Sequence, residues 1–385
     1  MKNVLIIMST NIFSGAEKVL VDYLKNNDAY QFFIYTNDIE MPLLDKMVKR
    51  STNIILIKRK RMRVISIRKY PFYSIAYIIY NLCYIRKIIN KYNIDLIYGN
   101  NTIDMLYVML YKYLSKSKIG AICHVHDIIQ RAMYHNLIRK FNSLIDAFIV
   151  PSKAGRDSFK MDVDYDNKIY VVHNGCNLEE KKESYHTAYQ KKSYIKLIFI
   201  GQLCKRKRVD FFIDIIKELS IQNPNKYKGI IVGKMVDSDE KYKNEIEKNL
   251  YEMKDYIDYK GPVDSKYLYQ TKFFHADALI LTSDRDPLPT VILEAMALGV
   301  PVFSREVDGV SEMIDNGVNG FSWPYDMDAI KVAQYIDERF SYMDNFSMIK
   351  DSAKEKILSE FSNEWKVRRI NQIIKTCISN RRMSK

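Results

Sequence analysis

Cysteine is scarce in this chain of 385 residues. The five cysteines (Cys83, Cys123, Cys176, Cys204 and Cys377) are scattered, odd in number and never spaced as CxxC. This distribution argues against a disulfide framework and a zinc site, and it indicates a reducing compartment. The six histidines form no ligand-spaced cluster. We therefore expect a cytoplasmic protein without a bound metal.

Long apolar runs are also missing. The longest uncharged stretch, Tyr70–Ile85, is too short and too polar to cross a membrane, which requires roughly 18–20 apolar residues. The N-terminus lacks a small-residue cleavage site, and Glu17 and Lys18 follow soon after, so we expect a buried first strand rather than a signal peptide. Because 47% of the residues are hydrophobic, intrinsic disorder is excluded.

Short apolar runs alternate with amphipathic stretches in two successive series. The first series starts with a buried strand at Val4–Met8, and the second restarts with a strand at Ile195–Ile200. Between them, Leu178–Ser193 is polar, has no apolar periodicity and is predicted to be a linker. The alternation predicts two Rossmann-like α/β domains with parallel sheets, at residues 1–180 and 194–360, facing each other across a cleft.

The segment Leu281–Pro301 is the most informative for chemistry. A buried strand leads into a proline-containing loop, and a helix is predicted to begin near Thr290. Free backbone N–H groups at such a helix start suit a phosphate or diphosphate. Asp286 lies in the loop, and Glu294 follows eight residues later, where a carboxylate can accept hydrogen bonds from a ribose. An ordinary capped helix is the alternative, although Leu293 occupies the capping-box position.

This segment resembles a known family. A carboxylate, seven residues and a glutamate, followed by AMALGVP, is similar to the E-x7-E signature of retaining glycosyltransferases of family 4, which have the GT-B fold. The resemblance implies that the terminal helix, at 363–385, returns to the first domain. Each further match is weak alone, but the ordered set is specific: Ser14–Glu17, His126–Asp127, Val150–Ser152, Asn174–Gly175, Gly201–Lys207, Asp308–Glu312 and Asn316–Gly320.

The resemblance also implies roles for residues of the second domain. Lys207 would neutralise the leaving diphosphate of a nucleotide sugar, and Gln202 belongs to the same phosphate clamp. Glu294 would bind the ribose hydroxyls, and Asp286 would hold hydroxyls of the transferred sugar. Backbone groups of three further residues would line the phosphates and the sugar: Leu288, Pro289 and Thr290.

In the first domain, the resemblance points to two residues. Gly15 would let its loop approach the donor phosphates closely, because glycine lacks a Cβ. His126 would face the reacting sugar. Considered alone, the cationic run Lys205–Arg208 could be a solvated face, and His126 could be a structural histidine.

The chain departs from the family pattern at four positions. Gln202 stands where the family usually has an arginine, and Asp286 where it has a glutamate. Arg208 and Asp308 stand where the family has glycines. We expect the missing cation at Gln202 to be supplied by Lys205, Arg206 or Arg208.

The net charge of +14 is partly concentrated in the first domain. Lys58–Arg63 and Arg68–Lys69 are basic, with no acid between them, and aromatic residues follow. Such a cluster suits an anionic membrane surface or nucleic-acid phosphates, and it could also be a solvated loop. Without a nucleic-acid-binding signature, the membrane is the preferred partner and no nucleic acid is expected. The Tyr and Ile stripe at 73–89 is predicted to be core.

These features predict a retaining, metal-independent glycosyltransferase with no cofactor. It would move a sugar from a UDP- or GDP-sugar to a hydroxyl of a glycan acceptor, expected to be lipid-linked, in cell-surface polysaccharide synthesis such as capsule or lipopolysaccharide. A peripheral position on the inner face of the plasma membrane would suit this activity. Two alternatives remain: a nucleotide-sugar epimerase of the same architecture, and a non-catalytic partner of an active transferase.

Overall fold

The computed structural model describes residues 1–9, 15–25, 27–37, 42–59, 71–159, 167–176, 194–237, 239–264, 267–268, 271–342 and 346–383. The chain divides into two units, Met1–Gly175 with Asn363–Lys385, and Cys176–Ser362. The linker predicted at Leu178–Ser193 lies outside the described residues, as do residues 60–70, which include most of the basic cluster.

The first unit contains a parallel sheet of seven strands in the order β3-β2-β1-β4-β5-β6-β7. The strands are β1 (Lys2–Met8), β2 (Tyr30–Asn37), β3 (Ile54–Arg59), β4 (Leu96–Gly99), β5 (Gly120–His124), β6 (Ala147–Val150) and β7 (Ile169–Val171). The helices that follow them are α1 (Gly15–Leu24), α2 (Pro42–Arg50), α3 (Pro71–Lys91), α4 (Thr102–Ser115), α5 (Ala132–Phe141) and α6 (Lys153–Asp157).

The second unit contains a parallel sheet of six strands in the order β10-β9-β8-β11-β12-β13. The strands are β8 (Ile195–Ile200), β9 (Tyr227–Val232), β10 (Ile257–Gly261), β11 (Ala278–Leu281), β12 (Val302–Arg305) and β13 (Phe321–Trp323). The helices are α7 (Val209–Gln222), α8 (Glu240–Glu252), α9 (Lys272–His275), α10 (Thr290–Leu298), α11 (Val310–Met313), α12 (Ala329–Tyr342) and α13 (Ser347–Glu360).

The strands are buried on both faces, which is why they are continuous apolar runs in the sequence. In β1, Leu5 and Ile7 pack into one core cluster, and Val4, Ile6 and Met8 pack into another on the opposite face. Both sheets are parallel throughout and have helices over their faces. The prediction of two Rossmann-like domains is therefore confirmed.

The final helix, α14 (Asn363–Met383), belongs to the first unit. Its apolar residues Ile370, Ile373 and Ile374 are buried against the face of the first sheet that α1 also covers. Polar contacts fix its position, since the Tyr23 hydroxyl donates to Asn371 Oδ1 over 2.8 Å. The predicted return of the terminal helix to the first domain is confirmed, and the helix completes that side of the core.

The stripe predicted as core at 73–89 forms α3, and the prediction is right for only part of it. Leu82, Ile85 and Ile88 are buried in the core of the first unit. Tyr73 and Ile79 are instead 68% and 55% exposed. The reason is that the side chains packed against the core come from residues 78–89, whereas, among the described side chains of residues 72–77, Ser74 is the buried one.

Among the described residues, no helix combines the length and the apolar content needed to cross a membrane.

Gly233, directly after β9, lies so close to the backbone after β8 that a side chain does not fit there. Gly233 has φ +151°, and a Cβ on it would lie 1.7 Å from the carbonyl oxygen of Gly201, which follows β8. We expect Gly233→Ala to destabilise the protein by about 3 kcal/mol or more, because the clash is with the backbone. Chemical denaturation measures the change.

The matched control for that substitution is Gly261→Ala. Gly261 has φ +66°, but a Cβ there would meet no described residue within 4 Å apart from its chain neighbours. The expected loss is only about 1 kcal/mol, from the left-handed backbone. Equal losses in the two variants would show that the Gly233–Gly201 approach does not constrain the fold.

Candidate active site

The candidate site lies at the carboxyl edge of the second sheet. β8 is paired with β9 on one side and with β11 on the other, so the strand order reverses direction between β8 and β11. In open parallel sheets, ligands bind outside the carboxyl ends of the strands at this switch point. Two loops meet there: residues 201–208 after β8, and residues 282–289 after β11.

Hydrogen bonds join these two loops. The hydroxyl of Thr282, buried directly after β11, donates to the carbonyls of Lys207 (3.0 Å) and Arg208 (2.8 Å). The Asp284 amide donates to the carbonyl of Arg206 at 2.9 Å. The loops therefore have a defined position relative to each other before any ligand binds.

The side chains of Lys207 and Asp286 form an ion pair across the two loops. Both side chains are largely buried, with 15% and 10% of their surfaces exposed. The aliphatic part of Lys207 passes close to Gly201, since a Cβ on this glycine would lie 3.9 Å from Lys207 Cδ. The structure thus brings together the cation and the carboxylate that the resemblance assigns to the diphosphate and to the transferred sugar.

Helix α10 begins at Thr290, as predicted, and Pro289 precedes it without providing a side-chain cap. Leu288 and Pro289 are buried, and Thr290 is partly exposed. Glu294 lies one turn into the helix and is partly exposed. The helix is fixed by its apolar residues, which are almost all buried, and it ends at Gly299 with φ +69°. The start of α10 thus follows Asp286 closely along the same loop.

Gln202 is partly exposed at the end of β8, and three cations lie close to it in sequence. Lys205 pairs with Asp239 at 2.6 Å, and Arg208 pairs with Asp210 and Asp284. Arg206 donates instead to a carbonyl, that of Arg285, at 2.9 Å, and is exposed. Of the three, Arg206 is the one that pairs with no carboxylate among the described residues.

The two positions where the family pattern has glycine and this chain does not are both left-handed. Arg208 has φ +51° and Asp308 has φ +38°. Asp308 also accepts a hydrogen bond from the Asp286 amide at 2.8 Å. Burial raises the pKa of Asp308, and the Asp286 amide opposes that rise. The side chain that replaces glycine here therefore holds the backbone of a proposed donor-binding residue.

The sequence did not indicate the role of Arg305 at the end of β12. Its guanidinium donates to Asp284 Oδ1 at 2.7 Å, and only 6% of the side chain is exposed. The guanidinium also lies 4.5 Å from the ring centre of Phe211. Burial lowers the pKa of Arg305, and the neighbouring Arg208 lowers it further. Asp284 thus joins two arginines and supports the loop that carries Asp286.

Gly15 and His126 belong to the first unit. Gly15 is the first residue of α1, and a Cβ on it would meet nothing within 4 Å. The preceding residues 10–14 lie outside the described part of the chain. No contact in the described protein therefore requires glycine at this position.

His126 follows β5, and its ring packs against His124 with 3.9 Å between the ring centres and 33° between the ring planes. The His124 Nδ1 atom is hydrogen-bonded to the Tyr98 hydroxyl at 2.6 Å. The Nε2 atom of His126 is buried and has no hydrogen-bond partner among the described residues. Burial lowers the pKa of His126 to about 3, and the positive charge of Lys366 contributes. His126 is therefore neutral near pH 7.

Lys366 reaches this region from α14. It is 1% exposed, and its ammonium group donates to the Val19 carbonyl at 3.3 Å. The returning helix thus places a buried cation near the histidine pair. The sequence did not indicate that Lys366, in the last helix, contacts Val19 and acts electrostatically on His126.

A buried carboxylate at the carboxyl edge of the first sheet was also missed. Asp104, in the first turn of α4, accepts hydrogen bonds from the amide and the hydroxyl of Ser9, which follows β1. The Asn37 side chain donates to the Ser9 carbonyl at 2.9 Å. Burial raises the pKa of Asp104 to about 7, although the bonds from Ser9 oppose this. These contacts fix the start of the loop that leads to Gly15.

Within the described ranges, no group of three or more histidine, cysteine or acidic side chains is arranged to hold a metal ion.

Substitutions of Asp308 separate the effect of its hydrogen bond to the Asp286 amide from the effect of its left-handed backbone. Asp308→Gly removes the acceptor for the Asp286 amide but tolerates φ +38°, whereas Asp308→Ala removes the acceptor and keeps the backbone strain. We expect the alanine variant to be less stable than the glycine variant by about 1 kcal/mol in chemical denaturation. Asp308→Asn, which keeps an acceptor and tolerates this backbone, is the control and should stay closest to the native protein. If glycine and alanine give equal stability, the backbone at 308 is not strained.

The neutral state of His126 is testable by NMR. Because its pKa is lowered to about 3, its ring resonances should not titrate between pH 8 and pH 5. The unfolded chain protonates histidine near pH 6.5, so this group's contribution to stability is lost as the pH falls from about 6.5 toward about 3. Lys366→Met should raise the pKa of His126, and Lys375→Met, at an exposed position of α14, should leave it unchanged. A native midpoint near 6.5 would contradict the burial of this ring.

Two family models match consecutive parts of the chain. The model described as Glycosyltransferase Family 4 matches residues 20–180, and the model described as Glycosyl transferases group 1 matches residues 181–354. Together they extend over both units.

Curated relatives match only about half of the chain, at low sequence identity. The chain is 29% identical over 215 residues to the "Uncharacterized 41.2 kDa protein in cps region" of Klebsiella pneumoniae, covering 54% of this chain and 56% of that protein. It is 25% identical over 191 residues to the "Putative colanic acid biosynthesis glycosyltransferase WcaL" of Salmonella typhimurium, covering 47% and 45%. The chain thus spans about half the length of the curated relatives it matches.

A solved structure covers nearly the whole chain. Anabaena Alr3699/HepE, in its complex with UDP and glucose, matches with a TM-score of 0.75 at 16% identity, covering 98% of this chain and 100% of that chain. At this identity the likeness shows the fold alone. With its two parallel-sheet units and the two family matches, the chain belongs to the family 4 (group 1) glycosyltransferases and has the GT-B fold.

Proposed function

We propose that the protein transfers a sugar, with retention of anomeric configuration, from a nucleoside diphosphate sugar to a hydroxyl of a glycan acceptor. The observation that carries the proposal is the Lys207–Asp286 pair, in the loops that follow β8 and β11 and just before the start of α10. A cation, a carboxylate and a helix N-terminus are the groups that a nucleotide sugar requires. HepE, which shares the fold, has been crystallised with UDP and with UDP-glucose.

The ion pair suits a site that exchanges partners when the donor binds. Without a ligand, Lys207 and Asp286 compensate each other in a largely buried position. A bound donor offers phosphate oxygens to Lys207 and sugar hydroxyls to Asp286, so both groups remain satisfied after the pair opens. Neither charge is left buried alone in either state.

The leaving diphosphate gains negative charge during transfer, and preorganised positive groups stabilise it. Lys207 supplies a full charge, and the N-terminus of α10 supplies backbone N–H groups and the positive end of the helix dipole, with Pro289 contributing only a carbonyl. Arg206 adds a second cation in place of the arginine that Gln202 replaces. Glu294, one turn further on, binds the ribose hydroxyls. We assign neither a metal nor a cofactor to this reaction.

His126 contributes as a neutral group. Its pKa is lowered to about 3, so the ring does not act as a general acid near pH 7. The neutral ring instead offers one hydrogen bond to a hydroxyl of the reacting sugar, for which the buried Nε2 atom must first become accessible. Lys366 favours the neutral ring electrostatically.

We propose a lipid-linked glycan as the acceptor, in the synthesis of a cell-surface polysaccharide at the inner face of the plasma membrane. The support comes from the printed names of two relatives, one from a cps region and one assigned to colanic acid biosynthesis. A lipid-linked acceptor requires the enzyme to work at a membrane surface. The proposed donor is a UDP- or GDP-sugar.

Incubation with UDP- and GDP-sugars and lipid-linked acceptors, followed by nucleoside diphosphate release and product analysis, tests the activity. Lys207→Ala should lower kcat about 100-fold or more, since it removes a preorganised charge at the leaving group. Glu294→Ala should mainly raise the KM for the donor. Lys331→Ala, which breaks an exposed ion pair of the same unit, is the control and should be unaffected. Unchanged rates in Lys207→Ala would refute the proposal.

Gly15→Ala is a sharper test of a role in donor binding, because a Cβ at this position meets no atom of the described residues within 4 Å, apart from its chain neighbours and its own helix. The variant should therefore keep its stability while the KM for the donor rises.

The same incubations distinguish an epimerase. Conversion of the nucleotide sugar to an isomer, without an acceptor and without nucleoside diphosphate release, would indicate an epimerase instead.

A further inference from the structure

Helix α3 carries an exposed apolar surface that the proposed transfer site does not use. Within its first ten residues, five large apolar or aromatic side chains face solvent. We define the α3 surface as Phe72, Tyr73, Ile75, Ile79 and Tyr80, which are 85%, 68%, 53%, 55% and 48% exposed. Exposed isoleucines and phenylalanines this close together are unusual on the surface of a protein without a partner.

The α3 surface is one continuous side of the helix. At 3.6 residues per turn, Phe72, Ile75 and Ile79 line up, and the same side continues to the exposed residues Cys83, Arg86 and Lys87. The outward side therefore changes along the axis from apolar to basic. The opposite side carries Leu82, Ile85 and Ile88 into the core, so α3 is held in place by packing.

The chain segment that contains α3 has side-chain charges of one sign only. Between Asp45 and Asp95 the sequence contains thirteen lysines and arginines and no acidic residue. Asp45 itself is engaged, since it pairs with Lys58 at 2.7 Å. The guanidinium of Arg59 lies 4.1 Å from the ring centre of Tyr80, at the border of the α3 surface. No acidic side chain of this segment would oppose an anionic partner.

We infer that the α3 surface docks on a lipid bilayer that contains anionic headgroups. Apolar side chains on one face of a helix, with lysines and arginines beside them, enter the boundary between headgroups and acyl chains. Arg86, Lys87 and the other cations then meet the anionic headgroups. The inference goes beyond the proposed sugar transfer and does not depend on it.

Two other occupants fit these observations less well. Nucleic acid would use the cations and the tyrosines, but it offers no apolar environment for Ile75 and Ile79. A second copy of the chain would bring two cationic faces together, and like charges oppose that contact. An anionic bilayer satisfies both the apolar and the basic part of the surface.

Co-sedimentation of the full-length protein with vesicles tests the inference. The vesicles contain phosphatidylcholine with about 30% phosphatidylglycerol, or phosphatidylcholine alone. The variant Phe72→Ser with Ile79→Ser should bind the anionic vesicles at least tenfold more weakly than the native protein. The control variant is Tyr342→Ser with Ile330→Ser on α12, where the side chains are matched at 85% and 52% exposed, and its binding should not change.

A second variant tests the charge. Arg86→Glu with Lys87→Glu should also weaken binding to anionic vesicles at least tenfold and should reduce its salt dependence. Equal binding by the α3 variant and its α12 control would overturn the inference, as would native binding to neutral vesicles that equals binding to anionic ones. A dimer of the native protein that the α3 variant no longer forms, measured by analytical ultracentrifugation, would overturn the inference in favour of a second copy of the chain. Tight nucleic-acid binding that the same variant loses would overturn it in favour of nucleic acid. Transfer to a soluble acceptor should be unaffected, which separates this result from a failure of the proposed activity.

Discussion

The ion pair between Lys207 and Asp286 is the interaction on which the candidate site depends. It forms because two adjacent parallel strands, β8 and β11, end at the same edge of the sheet and send their loops toward each other. Largely buried charges are costly unless they are paired, so the pair holds the loops in one arrangement in the absence of a ligand. Thr282 reinforces this arrangement by donating to the backbone of the opposite loop.

The loops around this pair have backbone conformations that glycine would adopt more easily. Arg208 and Asp308 are both left-handed, at a cost of roughly 1–2 kcal/mol each. Their side chains offset part of that cost by contacts that glycine cannot make: Arg208 pairs with Asp284, and Asp308 accepts the Asp286 amide. The departures from the family pattern are thus compensated within the same loops, and they do not by themselves indicate a lost activity.

The sequence predicted the strands well because buried parallel strands are continuous apolar runs, as β1 shows. The family resemblance also implied that Lys207 and Asp286 belong to one site. It could not indicate the contacts of Arg305 with Asp284 or of Lys366 near His126, since these depend on how distant elements pack. Helical periodicity likewise predicted an amphipathic helix α3, but periodicity does not tell how far along its axis a helix is covered by its neighbours.

The same kinds of cation serve different purposes in this chain, and the environment decides between them. Lys366 and Arg305 are buried, and they act on a neighbouring histidine and a neighbouring carboxylate. Lys207 is largely buried and paired with Asp286, and we propose that it binds the donor diphosphate when that pair opens. Arg86 and Lys87 face solvent next to exposed isoleucines, where no carboxylate of their own segment offsets them. A net charge of +14 therefore gives no information on function until each cation is assigned to the interior, the candidate site or the surface.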